Sequence, residues 1–465
     1  MSTGVLLDPH DPRPVHFMGI AGAGMSALAE LLARRGVRVN GCDSSPTIES
    51  VEDLQRHSVA VTSGHDPEHV AGARALVVTS AVPKDHPELQ AARGAGIPVV
   101  RRAEALGAVT RLGDVVAVAG THGKTTTTVL TTEVLAAAAL DPTGLVGGRV
   151  THWGGNLRPG SEKLFVVEAD EYDRSFLALT PTIAVITNVE ADHLDIYSDL
   201  SDIRGAFEQF LAPARAVVVC ADDPGANTLQ LNTGAEVVRY GVENAEARVA
   251  AHDVQLTPQG AIFDVFYDGK CLGDVATQLT GTHNVRNALA AIASGLTLGA
   301  TLPAMLPGLQ RFRGVERRFQ RVGEAAGVQL VDDYAHHPTE IRATLAAARS
   351  AFPGARLVVA FQPHLYSRTR DFAREFGEAL TAADSIWLTE IYPAREQPIA
   401  GVTASLIKDS VEESGGRVAW LGERNQLADA LTQSVVPGDV VLTLGAGDIT
   451  KTGPELLARL RKRST

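Results

Sequence analysis

Val115-Val116-Ala117-Val118-Ala119-Gly120-Thr121-His122-Gly123-Lys124-Thr125-Thr126-Thr127-Thr128 reads as an apolar strand that empties into a glycine turn and restarts as a helix at Lys-Thr. That order of elements makes a phosphate cradle. Backbone N–H groups of the turn and of the helix N-terminus point at an anion, Lys124 brings a mobile positive charge to the β/γ-phosphates, and Thr125 offers a hydroxyl to Mg2+. The expectation is a chain that splits a nucleoside triphosphate, bound by Gly120, Thr121, His122, Gly123, Lys124, Thr125 and Thr126. The usual spacing, Gly-x-x-x-x-Gly-Lys-Thr, would need glycine where Val118 stands, so the loop is a shortened form that opens at Gly120.

Around this cradle, strand-like runs alternate with amphipathic stretches from end to end, the pattern of α/β units with mainly parallel sheets. The chain has 465 residues, too many for one ordinary core, and length alone suggests about three domains. The first, residues 1–113, opens with the strand Val15-His16-Phe17-Met18, a glycine turn, a helix from Met25 to Arg35 and a strand from Val37 that ends at Asp43, a Rossmann-like start. Further strands at 75–79 and 98–100 continue it, and Leu112-Gly113-Asp114 reads as a hinge. The second, residues 114–313, carries the cradle, strands at 164–168, 183–187 and 217–220, a β-rich stretch from Val249 to Val275 and a helix from Asn284 to Gly295. The third, residues 314–465, shows strands at 328–332, 356–361, 385–390, 417–421 and 440–444 with helical segments between them. The predicted class is therefore α/β in three domains: a Rossmann-like N-terminal domain, a central P-loop ATPase domain with a mostly parallel sheet, and a Rossmann-like C-terminal domain.

Composition narrows the partners. Apolar residues make up 45% and charged residues 21% of the chain, an ordinary globular balance, with no apolar run long enough to cross a bilayer. A formal net charge of −12 leaves no basic stripe for a nucleic-acid backbone. The first residues, MSTGVLLDPHDPRP, lack a basic region followed by an apolar one, so a cytoplasmic location is expected. Cys42, Cys220 and Cys271 are widely spaced and odd in number, against a disulfide framework or a Cys-x-x-Cys zinc site, and are expected as buried small hydrophobes.

Polar clusters follow several of the strands. In Gly19-Ile20-Ala21-Gly22-Ala23-Gly24 the second glycine of the dinucleotide fingerprint falls on Ala21, and its displacement to Gly22 points to a diphosphate held in another pose than that of NAD. Val166-Val167-Glu168-Ala169-Asp170-Glu171-Tyr172-Asp173 puts acids at the end of an apolar strand, with Glu168 the best-placed Mg2+ ligand. Thr187-Asn188-Val189-Glu190-Ala191-Asp192-His193 ends another strand, with His193 a second metal-ligand candidate. In the third domain, Asp332-Asp333-Tyr334-Ala335-His336-His337 and Gln362-Pro363-His364-Leu365-Tyr366-Ser367-Arg368 bring His, Tyr and Arg to strand ends, where they suit carboxylates and acyl phosphates. One of the adjacent pair His336 and His337 is expected to point into the fold. Arg317 and Arg318, at the second domain boundary, are placed to swing onto ATP.

Taken together, GIAGAGMS, AGTHGKTTTT, VVEADEYDRSFL, ITNVEADHLDIY, GTHNVRNALAAIA, GVERRF, VDDYAHHPTE and FQPHLYSRT resemble the Mur ligases of peptidoglycan synthesis, in order, from about Val15 to Gly447. The resemblance implies three domains that bind a UDP-sugar, ATP and an incoming amino acid in turn. It places Gly19, Gly22, Ala23 and Gly24 around the UDP diphosphate and Asp43 and Ser44 towards the nucleoside. It gives Lys124 and Thr125 the ATP and Mg2+ roles, Glu168 the first metal and His193 the second, and sets Asn287 at the adenine and Arg317 and Asp333 at ATP. It puts Tyr334, His336, His364 and Arg368 around the amino acid and the reacting carboxyl. No lysine occurs between Lys163 and Lys270, which disfavours the branches that use a carbamylated lysine and agrees with the branch that joins L-alanine to UDP-N-acetylmuramate. The implied enzyme works as a monomer or homodimer. The alternatives are a recycling ligase that joins a tripeptide to the same sugar, and a nucleotide-binding protein without turnover, although Ala21 and Glu168 point away from the latter.

Overall fold

The computed structural model of the chain describes residues 4–79, 81–231, 234–244, 247–394 and 396–463. Its first sheet contains β1 (Val15–Met18), β2 (Val39–Asp43), β3 (Ala60–Ser63), β4 (Ala75–Val78) and β5 (Val99–Arg101), in the order β3-β2-β1-β4-β5. Every pairing is parallel. Strands β1 and β4 are buried at every residue, which is why they read as continuous apolar runs and not as alternating ones. Helix α1 (Ala23–Arg34) follows β1, α2 (Pro87–Gly94) precedes β5, and α3 (Arg102–Thr110) follows it. The chain runs outward from β1 in both directions, so the glycine turn after β1 lies at the point where strand order reverses, the usual ligand crevice of such sheets.

The second sheet has ten strands: β6 (Asp114–Ala119), β7 (Thr143–Val150), β8 (Gly155–Arg158), β9 (Leu164–Glu168), β10 (Ile183–Ile186), β11 (Ala216–Cys220), β12 (Glu236–Gly241), β13 (Val249–Thr257), β14 (Gly260–Tyr267) and β15 (Lys270–Thr277). Their order is β15-β14-β13-β12-β11-β10-β6-β9-β7-β8. Strand β6 lies between β9 and β10, parallel to both, so the polar segments after all three emerge at one sheet edge. The cradle follows β6, and α4 (Lys124–Ala137) carries the chain away from it. Asn287 lies on α5 (Thr282–Thr297).

The third sheet is built from β16 (Gln320–Ala325), β17 (Val328–Asp333), β18 (Leu357–Phe361), β19 (Ser385–Thr389), β20 (Val418–Gly422) and β21 (Val440–Leu444), in the order β16-β17-β21-β18-β19-β20. All of its pairings are parallel except β16 with β17. Helices α6 (Pro338–Ala351) and α7 (Tyr366–Leu380) follow β17 and β18.

The chain folds into two compact units. One comprises Met1–His252, Asp264–Val275 and Arg286–Phe312, and the other Asp253–Phe263, Ala276–Val285 and Arg313–Thr465. Within the first, one apolar core runs from Phe17, Leu28 and Val77 to Phe165, Ile186 and Phe207, so the first two sheets share it. The Leu112-Gly113-Asp114 segment, expected as a hinge, is fastened: the Asp114 N–H donates to Lys163 O at 2.9 Å, and a Cβ at Gly113 would come within 2.5 Å of Glu162 O. Strands β3 and β16 escaped the sequence reading because they lie at sheet edges, where β3 has no buried residue and β16 has one. Cys42 and Cys220 are buried as expected, but Cys271 is exposed, because it stands on the part of the edge strand β15 that faces outward. Among the described residues no helix is long and apolar enough to cross a membrane.

Leu442 is fully buried on β21, between β17 and β18. Leu442→Ala should therefore destabilise the chain by about 2–5 kcal/mol, read as a lower thermal midpoint. An unchanged midpoint would contradict a packed core on that strand.

Candidate functional site

At the end of β6 the backbone turns through Gly120, with φ +139°, and Gly123, with φ +81°. A Cβ at Gly120 would lie 2.0 Å from Thr187 Oγ1, so only glycine fits there. The turn is fixed from the neighbouring strand. Thr187 Oγ1 donates to His122 O at 2.6 Å, the Asn188 amide accepts from the His122 N–H at 2.8 Å and donates to His122 O at 3.1 Å, and the Thr121 N–H donates to Asn188 O. Gly123 caps α4 without a side-chain bond, which leaves the first-turn N–H groups open to an anion.

Lys124 starts α4 and turns its ammonium back over the loop, donating to Gly120 O at 2.7 Å, Thr121 O at 3.1 Å and Glu171 Oε1 at 2.9 Å. Burial acts to lower its pKa, but Glu171, Asp170 and Glu168 outweigh that and hold the ammonium above its ordinary value. The Glu171 carboxyl is pushed up to about 7 by burial, against the pull of Lys124. Thr125 Oγ1 donates to Glu168 Oε1 at 2.9 Å, and Glu168 Oε2 accepts from the Gly147 N–H at 2.6 Å. His193, at φ +53°, sets Nε2 3.7 Å from Glu171 Oε1. Glu171 thus links Lys124 to His193, and Thr125, next to Lys124 in the chain, is paired with Glu168. Thr126 is buried on α4. Asn287 accepts from Thr127 Oγ1 at 3.1 Å, and a Cβ at Gly123 would meet its Oδ1 at 2.8 Å, so it lies against the loop itself.

In the same unit, Gly19 turns at φ +78° and Gly22 caps α1 without a side-chain bond, with Ala23 and Gly24 in the first turn. Asp43 closes this turn: its carboxylate accepts from the N–H groups of Ala21 at 3.1 Å and Ser45 at 3.0 Å. Ser44 is exposed beside it. Arg102, at the start of α3, leans over the helix start, where a Cβ at Gly24 would be 2.7 Å from its Nη1. Arg102 and Gly24 line one cavity with Gly147, Glu168 and Asp170. A helix N-terminus, a guanidinium and the cradle's carboxylates therefore share a wall.

The second unit gathers its polar side chains at the ends of β17, β18 and β21. Asp333 is buried and accepts from the N–H groups of Phe319 at 2.7 Å and Ala335 at 2.8 Å. Burial pushes its carboxyl up to about 6, with Arg318 acting in the other direction. Arg317, at φ +59°, donates to Gly445 O at 2.7 Å and Gly447 O at 3.1 Å and lies over the Tyr334 ring at 4.7 Å. His336 Nδ1 is 2.9 Å from Tyr334 O, and its ring meets that of His364 at 5.8 Å. Arg368, buried in the first turn of α7, brings Nη1 to 3.5 Å from His364 Nδ1. His337 is the adjacent histidine that points inward: it is buried and caps α6, where Nδ1 accepts from the Thr339 N–H. Tyr334, His336, His364 and Arg368 are thus brought together, with Tyr392 stacked on His364.

Three family models cover the chain: "Mur ligase family, catalytic domain" at residues 14–113, "Mur ligase middle domain" at 118–295 and "Mur ligase, glutamate ligase domain" at 317–447. A UDP-N-acetylmuramate–L-alanine ligase of Kineococcus radiotolerans is 47% identical over 97% of this chain and 96% of its own length. The chain is a Mur ligase. A relative of the same name from Salinibacter ruber is 45% identical over 94% of this chain and 93% of its own length. The solved structure of the UDP-N-acetylmuramate–alanine ligase of Thermotoga maritima matches with a TM-score of 0.83 at 30% identity, over 97% of this chain and 100% of that one. A murein peptide ligase of Psychrobacter arcticus shares the fold, with a TM-score of 0.73 at 24% identity over 97% and 99% of the two chains.

Four residues that touch the candidate loops were not singled out in the sequence: Thr187, Asn188, Glu171 and Arg102. Thr187, Asn188 and Glu171 stand inside the polar clusters after β10 and β9, where strand-end position was the available signal. Arg102 opens a helix with no motif around it, so only the fold reveals it.

Asp333 makes a pH test of the second unit. Between 3.8, its ordinary value, and about 6 the folded chain keeps a proton that the unfolded chain has released, so stability falls as pH rises through that window. The contribution reaches as much as about 3 kcal/mol. Asp333→Asn should flatten that slope in urea midpoints compared at about pH 4 and about pH 7; a slope identical to wild type would mean that Asp333 does not titrate there.

Proposed function

We propose that this Mur ligase joins L-alanine to the lactyl carboxylate of UDP-N-acetylmuramate, using ATP and passing through an acyl phosphate, with release of ADP and phosphate. The observation that carries the reading is the cradle after β6, where the Lys124 ammonium and the Thr125–Glu168 pair meet at one strand edge. Relatives of that name, alike over nearly their whole length, support the choice of substrates. We place the enzyme in the cytoplasm, as a monomer or homodimer.

The UDP diphosphate belongs at the glycine turn. The first-turn N–H groups of α1 and the Arg102 guanidinium converge there, and a charged bidentate donor suits a diphosphate. The ATP phosphates belong over Gly120–Thr126. The oxygen donors of Thr125 and Glu168 fit a hard cation such as Mg2+, and His193 beside Glu171 fits a second. Bound there, Mg2+ would neutralise phosphate charge.

A free carboxylate is a poor electrophile, so the lactyl oxygen first attacks the γ-phosphorus and the bond to ADP breaks. Lys124 offsets the repulsion between the anions that meet in this step. The neutral amine of L-alanine then attacks the acyl carbon, phosphate leaves, and a base takes the amine's proton. His336 and His364 are the candidates. With Nδ1 of His336 donating to Tyr334 O, its Nε2 is the basic nitrogen. Arg368 clamps the carboxylate of the amino acid.

Incubation with ATP, UDP-N-acetylmuramate and either L-alanine or a tripeptide, with phosphate release as the measurement, tests the substrate. Release that depends on L-alanine is expected; release with the tripeptide alone would make the chain a recycling ligase, and release with neither would leave it a nucleotide-binding protein. Lys124→Ala should cost roughly 3–5 kcal/mol in the transition state, several hundred-fold or more in kcat. Near-wild-type turnover of that variant would remove the cradle from the reaction.

A further inference from the structure

Away from these residues, the first sheet carries a cluster that the proposed reaction does not use. His16 on β1, Cys42 on β2, His69 in the turn Pro67–Val70 and Glu88 in the first turn of α2 bring one donor atom each within 4.8 Å of one another. The parallel register that pairs His16 with Asn40 and Met18 with Cys42 puts His16 and Cys42 on one face of the sheet. Cys42 Sγ lies 3.2 Å from Glu88 Oε2, His69 Nδ1 lies 3.0 Å from Glu88 Oε1, and the Asp66 N–H donates to the same oxygen at 2.8 Å. His65 Nδ1 is a further donor 3.2 Å from Cys42 Sγ.

We propose that this cluster binds a divalent transition-metal ion of the Zn2+ class through His16, Cys42, His69 and Glu88. Three observations carry the proposal. First, His16 is 2% exposed, and its Nε2 has no hydrogen-bond partner, while Nδ1 is fixed by Asn40 Oδ1 at 2.9 Å. That is how a metal-ligating imidazole is oriented, one nitrogen fastened by an outer partner and the other left bare. Second, the donor set is mixed: a thiolate and imidazoles select Zn2+ over Mg2+, and Zn2+ bonds of about 2.0–2.3 Å give tetrahedral ligand–ligand edges of about 3.3–3.7 Å, within a few tenths of an ångström of the separations around Glu88. Third, the charges balance. Cys42 and Glu88 are fully buried, and a thiolate with a carboxylate neutralises a dication, so nothing charged is left over in a dry interior. Binding forms a metal–sulfur bond and releases the thiol proton to solvent. With four protein ligands the site is closed, and it ties together β1, β2, the turn after β3 and α2.

The test uses the full chain carrying Cys271→Ser, which removes the exposed thiol, stripped of metal and titrated with Co2+. One equivalent should bind with tetrahedral visible bands and a sulfur-to-cobalt charge-transfer band, and equimolar Zn2+ should bleach both. A site built of oxygen and imidazole ligands, like the one proposed for Mg2+, cannot give the sulfur band. Cys42→Ser should abolish that band, and Asn40→Ala should weaken binding by about 10- to 100-fold. His69→Gln, at a partly exposed position, should shift the visible bands, which keeps the test valid if Cys42→Ser fails to fold. No charge-transfer band at saturating Co2+, or a spectrum unchanged in His69→Gln, would overturn the proposal.

Discussion

The backbone at Gly120 passes so close to Thr187 that no side chain fits between them, and much of the candidate nucleotide site follows from that approach. Strand β6 is flanked by two parallel neighbours, so its exit has to turn at once over the end of β10. A loop of the usual length would arch clear of that strand. The shortened one is pressed onto it, and the strand supplies what the loop lacks: a hydroxyl and a carboxamide that bind both polar groups of His122. The loop's shape is therefore set by its neighbour, and Lys124 begins its helix at a fixed distance from the sheet edge.

That fixed start decides the electrostatics. An ammonium buried alone would shed its proton, and a carboxyl buried alone would keep its own. Lys124 and Glu171 are buried together with Asp170 and Glu168 nearby, and the excess of negative charge wins for the lysine, which stays charged. Two loop carbonyls and one carboxylate occupy its donors. Glu171 thus holds the ammonium folded back over the loop.

The parts of this arrangement that were legible in the sequence are those written in local pattern. Leu164–Glu168 and Val440–Leu444 match the strands read from composition because both are buried on two faces and flanked by turns. Edge strands such as β3 are not buried on either face. Lys124, Thr125, Glu168 and His193 were singled out because each follows an apolar run, and the sheet brings the ends of those runs to one edge. Glu171 was passed over because Glu168 ends the strand. Three residues beyond the strand end, Glu171 and not the terminal residue meets the lysine, while Glu168 accepts from Thr125. Cys42 was read as a small hydrophobe because its partners come from elements 23 and 46 residues away, beyond the range of any spacing rule.

In the C-terminal unit carboxyls and guanidinium groups hold the strand-end segments in place. Asp332 and Asp333 are neighbours on one strand, so their side chains leave on opposite faces. Asp332 accepts from the hydroxyls of Thr443 and Thr450, and Asp333 from two backbone N–H groups. Those two N–H groups belong to Phe319 and Ala335, so one carboxyl fastens the segment that carries Arg317 and Arg318 to the segment that carries Tyr334 and His336. Arg317 is likewise committed, with Nη2 on two carbonyls and its face on Tyr334. Next to them the rings of His336 and His364 meet edge to face, with the buried Arg368 beside His364.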